Sequence, residues 1–290
     1  SRMFGPNNKT QINQNINFHH REDDFFYIYA DLISEFKKTF NITDDFDVLI
    51  VNGSGSLAIE TVIFSFLGKF KMIGVEGKFK NRWESLLATY NKLDNEKGMN
   101  FYCQLETSNS TLQEYENNFF IDCVSSFPYV SPPKDTNIWA TVSSKCLGSV
   151  PVLGVLVFRK DLLRSFVDKS YYSYLNFLNL VEFRKTNQTP QTPPIPLYMD
   201  FLEKLKDFNS QELIEKINYR CDQIVNILGK DNFIGDTRCP VLTFNKSLLH
   251  DRMNKYKIYG SSSKGSDIRQ IFVYSQDDND FDEFIIDLKK

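Results

Sequence analysis

Residues that bind metals or form disulfides are scarce in this chain. The three histidines, His19, His20 and His250, do not make a ligand set. The five cysteines, at 103, 123, 146, 221 and 239, show no CxxC spacing. A zinc site is therefore not expected, and the thiols read as scattered and reduced. Basic charge is not in excess: 34 Lys and Arg against 37 Asp and Glu leave a net charge of −3, which gives no electrostatic case for nucleic acid or an anionic membrane. No apolar run approaches the length of a membrane span. No basic-then-apolar leader opens the chain, so a cytoplasmic protein is expected, and Ser1-Arg2 ahead of Met3 reads as a cloning remnant. No internal repeat is present. Core material is ample: 290 residues, 41% of them apolar and 26 of them Phe, suffice for one large domain and a smaller one.

Two short apolar, β-prone runs organise the rest. Phe119–Phe127 delivers Asp122, and Trp139–Gly148 delivers Lys145, 23 positions further on. Each run ends abruptly in polar residues, as a buried parallel strand does when it presents side chains at its carboxyl end. Ligands of open α/β sheets bind at that edge, so the carboxylate and the amine are expected to face one crevice. The pairing suits pyridoxal phosphate (PLP). A lysine amine forms a Schiff base with an aldehyde, and an aspartate can hold a pyridine nitrogen protonated. The plain alternative is a loop-capping Asp122 and a solvated Lys145.

Upstream, residues 4–16 read as an extended arm and 23–40 as an amphipathic helix with Phe26, Tyr29, Leu32, Ile33, Phe36 and Phe40 at helical spacing. Phe46–Val51 is a strand, Asn52-Gly-Ser-Gly-Ser56 a glycine-rich turn, and Leu57–Leu67 a helix. That arrangement exposes backbone N–H groups to an anion, although it lacks the Lys-Ser/Thr of a P-loop and the third glycine of a dinucleotide fingerprint. Lys71–Val75 is a strand, and Phe79 sits in the turn before the next helix, as a ring platform or as core. Asn100–Cys103 is a third strand, and the hydroxyl-rich turn Glu106–Thr111 is expected to lead into a short helix. After Lys145 come a strand at Gly154–Phe158 and a helix at Lys160–Asp168. Tyr171, Tyr172, Tyr174 and Phe177 then precede the proline-rich stretch Thr186–Pro196, which marks a boundary between a large domain (1–195) and a small α+β domain (196–290). In the latter, a helical region at Leu197–Leu228 is interrupted near Asn209. Strands follow at Val241–Phe244 and Ile268–Tyr274, and helices at Lys246–Asn254 and Asp280–Leu288. The fold class is α/β, an open, mostly parallel sheet with a smaller α+β domain.

In order along the chain, these segments resemble the class V, fold-type I PLP aminotransferases, in the branch of the 2-aminoethylphosphonate–pyruvate and alanine–glyoxylate enzymes. Phe4-Gly-Pro is similar to that family's N-terminal Pro-Gly-Pro, and His20-Arg21-Glu22 to its His-Arg-Glu. Gly53–Glu60 resembles its phosphate-binding turn, which implicates Ser54, Gly55 and Ser56. Gly77–Arg82 matches Gly-x-aromatic-x-x-Arg, which makes Phe79 the residue that stacks on PLP. Glu106-Thr-Ser-Asn-Ser resembles Glu-Thr-Ser-Thr-Gly, whose hydroxyls, here Thr107 and Ser108, reach the cofactor. Ile121–Phe127 resembles Val-Asp-x-x-Ser-Ser-Phe, with Asp122 on the pyridine nitrogen, and Ser143–Gly148 the Schiff-base segment, with Lys145. Thr192-Pro-Pro looks like the turn that reaches the partner subunit's cofactor phosphate, and Ile268-Arg-Gln-Ile like the strand whose arginine, here Arg269, holds the substrate's acidic group.

The resemblance implies a homodimeric enzyme with shared active sites. It would move an amino group from a small amine, 2-aminoethylphosphonate-like, to a keto acid such as pyruvate. Ser144 stands where the family has Gln or Asn, Pro128-Tyr129 replaces Gly-Gly, and Val152 replaces the Gly of Pro-Gly. The chain is also shorter than the family's, chiefly in the C-terminal domain. Two alternatives stay open: a PLP-dependent lyase, decarboxylase or desulfurase, and a PLP-fold binding protein without turnover.

Overall fold

The computed structural model describes residues 3–4, 16–167, 173–249, 251–260 and 267–290. Among these, the elements run β1 (Met3–Phe4), α1 (Asp23–Thr39), β2 (Phe46–Asn52), α2 (Gly55–Ser65), β3 (Phe70–Met72), α3 (Lys78–Thr89), β4 (Met99–Cys103), β5 (Leu105–Glu106), β6 (Thr111–Leu112), β7 (Phe120–Asp122), β8 (Ile138–Val142) and β9 (Leu153–Arg159). There follow α4 (Phe177–Arg184), α5 (Ile195–Lys206), α6 (Ser210–Leu228), β10 (Phe233–Ile234), β11 (Val241–Asn245), β12 (Lys257–Gly260), β13 (Ile268–Phe272) and α7 (Asp278–Leu288).

The larger sheet has the order β2-β9-β8-β7-β4-β3. Its pairings make five strands run one way and β9 the other. Alternate side chains leave opposite faces of a strand. In β2, Leu49 and Val51 point into a core shared with α2, α3 and α4, whereas Val48 and Ile50 point into a core shared with α1 and α5. Burial on both faces is why these strands read as continuous apolar runs. Helix α1 buries one stripe, Phe25, Tyr29, Leu32, Ile33 and Phe36. Asp23 and Asp24 lie in its first turn and Lys37 and Lys38 in its last, matching the helix dipole at both ends.

The second sheet has the order β1-β12-β13-β11-β10 and packs on α6 and α7. Its cores revise the expected layout. Met3–Phe4, expected in the arm of the large domain, pairs with β12, and Phe4 is fully buried against Tyr256 and Phe284. Helix α5, expected in the small domain, shares a core with α1. The change of core therefore falls between α5 and α6, where Asn209 caps α6 by accepting from the N–H groups of Gln211 and Glu212. The short helix expected after the hydroxyl-rich turn is instead the β5–β6 hairpin, with Ser110 in the left-handed region at φ 57°. The expected helices at 160–168 and 246–254 are 3-10 turns, at Lys160–Ser165, Lys246–Leu248 and Asp251–Lys255. Residues 5–15 of the arm, and Tyr171 and Tyr172, lie outside the described residues.

Candidate active site at the carboxyl edge of the larger sheet

Register decides what meets at this edge. Cys103, Asp122 and Ala140 lie side by side across β4, β7 and β8, so these strands reach the edge together. Asp122 is the last residue of β7. Lys145 lies three positions beyond Val142, the last residue of β8, at the start of a single 3-10 turn. Its φ of 54° is left-handed, a strained setting for a side-chain-bearing residue and one typical of functional sites.

Asp122 is buried and firmly held. Oδ2 accepts from Trp83 Nε1 at 2.9 Å and from the Cys103 thiol at 3.6 Å, and Oδ1 accepts from the Val124 N–H at 2.9 Å. Burial raises its pKa, while the Val124 N–H and the Lys145 charge pull it back. Lys145 Nζ donates to Ser125 Oγ at 2.6 Å and stands 5.9 Å from the centre of the Phe79 ring. Burial lowers its pKa below the ordinary 10.5, with Asp122 opposing. Both members of the pair are thus pushed toward their neutral forms.

Helix α2 starts beside this pair. Ser54 caps it by accepting from the Leu57 N–H at 3.2 Å. A Cβ on Gly55 would lie 2.6 Å from Val124, so only glycine lets this helix start pack against the Asp122 turn. Ser56 Oγ accepts from an Arg82 N–H at 3.2 Å, and the same guanidinium lies over the Phe79 and Trp83 rings at 5.3 and 5.9 Å. Free helix N–H groups, hydroxyls and a guanidinium converge here, the donor set an anionic group requires.

Helix α3 carries Phe79 and Arg82 and begins at Gly77, which has no side chain with which to cap it. The cap comes from Glu106. This fully buried carboxylate accepts from the N–H groups of Phe79 at 3.2 Å, Lys80 at 3.0 Å and Ser108 at 3.2 Å, and from Ser108 Oγ at 2.5 Å. Ser108 Oγ also accepts from the Lys78 N–H at 2.9 Å, and Thr107 Oγ1 donates to Ser125 Oγ at 2.8 Å.

Asp122, Lys145, Phe79, Ser54, Gly55, Ser56, Thr107 and Ser108 therefore sit around one edge. Two expected residues sit elsewhere. Thr192 is exposed and lines a separate cavity of about 670 Å³ with Asn52, Val152 and Tyr174. Arg269 is in β13 of the second sheet, where its guanidinium donates to the Ile268 carbonyl at 2.8 Å and lies against Gly260. Its neighbour Gln270 joins β13 to the edge, where its Nε2 donates to the Thr107 carbonyl at 2.6 Å. Trp83, Glu106, Ser125 and Gln270 were not singled out from the sequence. Glu106 had a local signal, a carboxylate opening a hydroxyl-rich turn. Ser125 follows Asp122 by three positions, whereas Trp83 and Gln270 are tied to the edge only by contacts distant in sequence. Among the described residues, no group of three or more His, Cys, Asp or Glu could hold a metal ion. Among the same residues, no helix is long and apolar enough to cross a membrane.

A mainly parallel sheet thus carries a lysine, an aspartate and an anion-ready helix start at its carboxyl edge, with a second sheet beside it. No family model and no curated protein sequence matches the chain. Solved structures do. An aspartate aminotransferase of subgroup IV from Thermus thermophilus superposes with a TM-score of 0.82 at 17% identity over 99% of this chain and 97% of that one. Alanine–glyoxylate aminotransferase from Nostoc sp. gives 0.82 at 16% over 99% and 93%. PLP-bound phosphoserine aminotransferase from Trichomonas vaginalis gives 0.75 at 14% over 94% and 90%. The chain has the fold of these aminotransferases, and the likeness runs through both sheets.

Proposed function

We propose that this protein is a PLP-dependent aminotransferase acting on a small amine or amino acid and a keto acid. One observation carries the reading. Lys145 and Asp122 reach one edge from adjacent parallel strands, with Phe79 alongside and a helix start ready for an anion. The residues fit the cofactor. Ser54, Gly55 and Ser56, with Arg82 behind them, would hold its phosphate, Phe79 would stack on its ring, Asp122 would take its ring N–H, and Thr107 and Ser108 would contribute hydroxyls. Bound PLP supplies an aldehyde that condenses with amines and a cationic ring that accepts electrons from the adjacent carbon.

The chain's own groups do the rest. Burial holds Lys145 toward its neutral form, the form in which an amine acts as nucleophile and base. With the cofactor bound, its Nζ would be the group that takes the proton from the substrate's amine-bearing carbon. Asp122 would face the ring nitrogen, with Trp83 and the Val124 N–H fixing its orientation. Arg269 would hold the substrate's acidic group, and 2-aminoethylphosphonate with pyruvate is the favoured pair on the resemblance of the Lys-Cys segment. Thr192, exposed on its own subunit, would reach the phosphate site of a second copy, making the protein a homodimer with shared sites. Cytoplasmic placement rests on five cysteines that are all buried and free.

The desulfurase alternative needs an exposed, ionisable cysteine. Cys146, beside the lysine, is buried, and burial pushes its thiol to about 12. The test is a donor screen on PLP-loaded protein followed by absorbance, with borohydride trapping and peptide mass spectrometry. Trapping at Lys145 and donor-dependent release are expected. Absence of any PLP link would favour the binding-protein alternative.

A further inference from the structure

A continuous run of hydrogen bonds joins Lys145 to the second sheet. Lys145 Nζ donates to Ser125 Oγ at 2.6 Å, and Thr107 Oγ1 donates to the same oxygen at 2.8 Å. Gln270 Nε2, from β13, donates to the Thr107 carbonyl at 2.6 Å and to Thr243 Oγ1, from β11, at 2.9 Å. Thr243 Oγ1 in turn shares a hydrogen bond with Ser110 Oγ in the β5–β6 hairpin. All of these residues except Lys145 are buried. These five hydrogen bonds leave little slack, because Ser125, Thr107, Gln270 and Thr243 are each held from two directions.

We propose that Ser125, Thr107 and Gln270 form a positioning chain that seats the Lys145 amine and makes its setting depend on the second sheet. The proposal rests on Lys145 being the reactive amine. A hydroxyl accepts two hydrogen bonds and donates one. Ser125 uses both acceptor sites on Thr107 and Lys145, and so keeps one proton. It can therefore accept from a charged Lys145 and donate to a neutral one, holding Nζ in place through either protonation state. Gln270 supplies the long-range part. Its amide pins the Thr107 backbone, which aims the Thr107 hydroxyl at Ser125, so a shift of β13 reaches Lys145 through the side chains of Gln270, Thr107 and Ser125. Charged or ionisable groups acting on Lys145 include Asp122 from β7, Arg82 from α3, Cys103 from β4 and Cys146 from its own turn, and a cleft beside that turn is lined by Tyr274, just past β13, by Asp200, Glu203 and Lys204 from α5, and by Asp207 after it.

The test reads Lys145 directly in cofactor-free protein, by competitive acetic anhydride labelling across a pH series with peptide mass spectrometry. Ser125→Ala removes an acceptor of the charged amine and is expected to lower the Lys145 midpoint by roughly one pH unit, the size of one charge-assisted hydrogen bond. Thr107→Val and Gln270→Leu should move it the same way by less, and Thr107→Ser, which keeps the hydroxyl, should restore it. Ser125→Ala combined with Gln270→Leu should shift no further than Ser125→Ala alone, because both act through one chain. Unchanged midpoints in folded Thr107→Val and Gln270→Leu, or additive shifts in the double variant, would overturn the proposal. If Ser125→Ala does not fold, those two single variants still decide. PLP trapped on a different lysine would refute the aminotransferase reading instead, while the midpoints would still judge the chain.

Discussion

Glu106 and Gly77 make a matched pair whose coupling can be measured. Gly77 leaves α3 uncapped, and the buried Glu106 carboxylate takes over by accepting from three N–H groups and one hydroxyl. A Cβ on Gly77 would lie 2.2 Å from both Cγ and Cδ of Glu106, so the two positions exclude each other's side chains. Gly77 has φ 178°, extended backbone that any residue adopts, so the clash alone enforces glycine. Glu106→Ala strips the donors of their acceptor and removes a negative charge from a helix start. The expected cost is about 2–4 kcal/mol. Gly77→Ser forces overpacking against a pinned side chain and should cost about 1–3 kcal/mol. Together the two changes open the space and put a capping hydroxyl on the helix itself, recovering about 1 kcal/mol or more through the restored cap.

The double variant should therefore be more stable than the sum of the singles implies, by about 1–3 kcal/mol, as for residues in direct contact. Urea unfolding followed by far-UV circular dichroism reads the midpoints, and an unchanged slope supports comparing them as free energies. Additivity within about 0.5 kcal/mol would refute the exclusion argument. Because the same carboxylate holds the Phe79 N–H and Ser108, Glu106→Ala should also weaken PLP retention, even at temperatures where the variant stays folded.

Other outcomes follow from the same geometry. Asp122→Asn keeps the Val124 and Trp83 contacts within reach and should leave the fold intact while slowing the proton-transfer step by about 10²-fold or more; near-normal turnover in single-turnover assays would sink its charge-holding role. Lys145→Ala and Thr192→Tyr should each be inactive alone yet regain part of the activity when mixed under subunit exchange, with light scattering reporting twice the chain mass; a monomer, or no recovery despite proven exchange, would count against shared sites. Val152 sits at φ 94° with its β-branched side chain 47% exposed. Val152→Gly should therefore raise stability by about 1 kcal/mol despite glycine's entropy, and a loss in thermal unfolding would show that its contacts outweigh the strain.

Local pattern was enough to put Asp122 at the end of one buried strand and Lys145 just past the end of its neighbour, because such a strand reads as an apolar run that stops in polar residues. It also located α1, α2 and the strand–turn–helix around Ser54, where apolar periodicity and glycine spacing act over a few residues. It could not show that β9 runs against its neighbours, since a strand buried on both faces reads alike in either direction. Nor could it show that Thr111–Leu112 would pair with Leu105–Glu106 rather than enter a helix, or that Phe4 would complete the second core. The features that tune the site came only with tertiary structure. Trp83 meets Asp122 across 39 positions, and Glu106 caps a helix begun 28 positions earlier. Gln270 reaches Thr107 across 163. Each is a polar side chain whose partner is chosen by packing at long sequence distance, and neither composition nor periodicity records that choice.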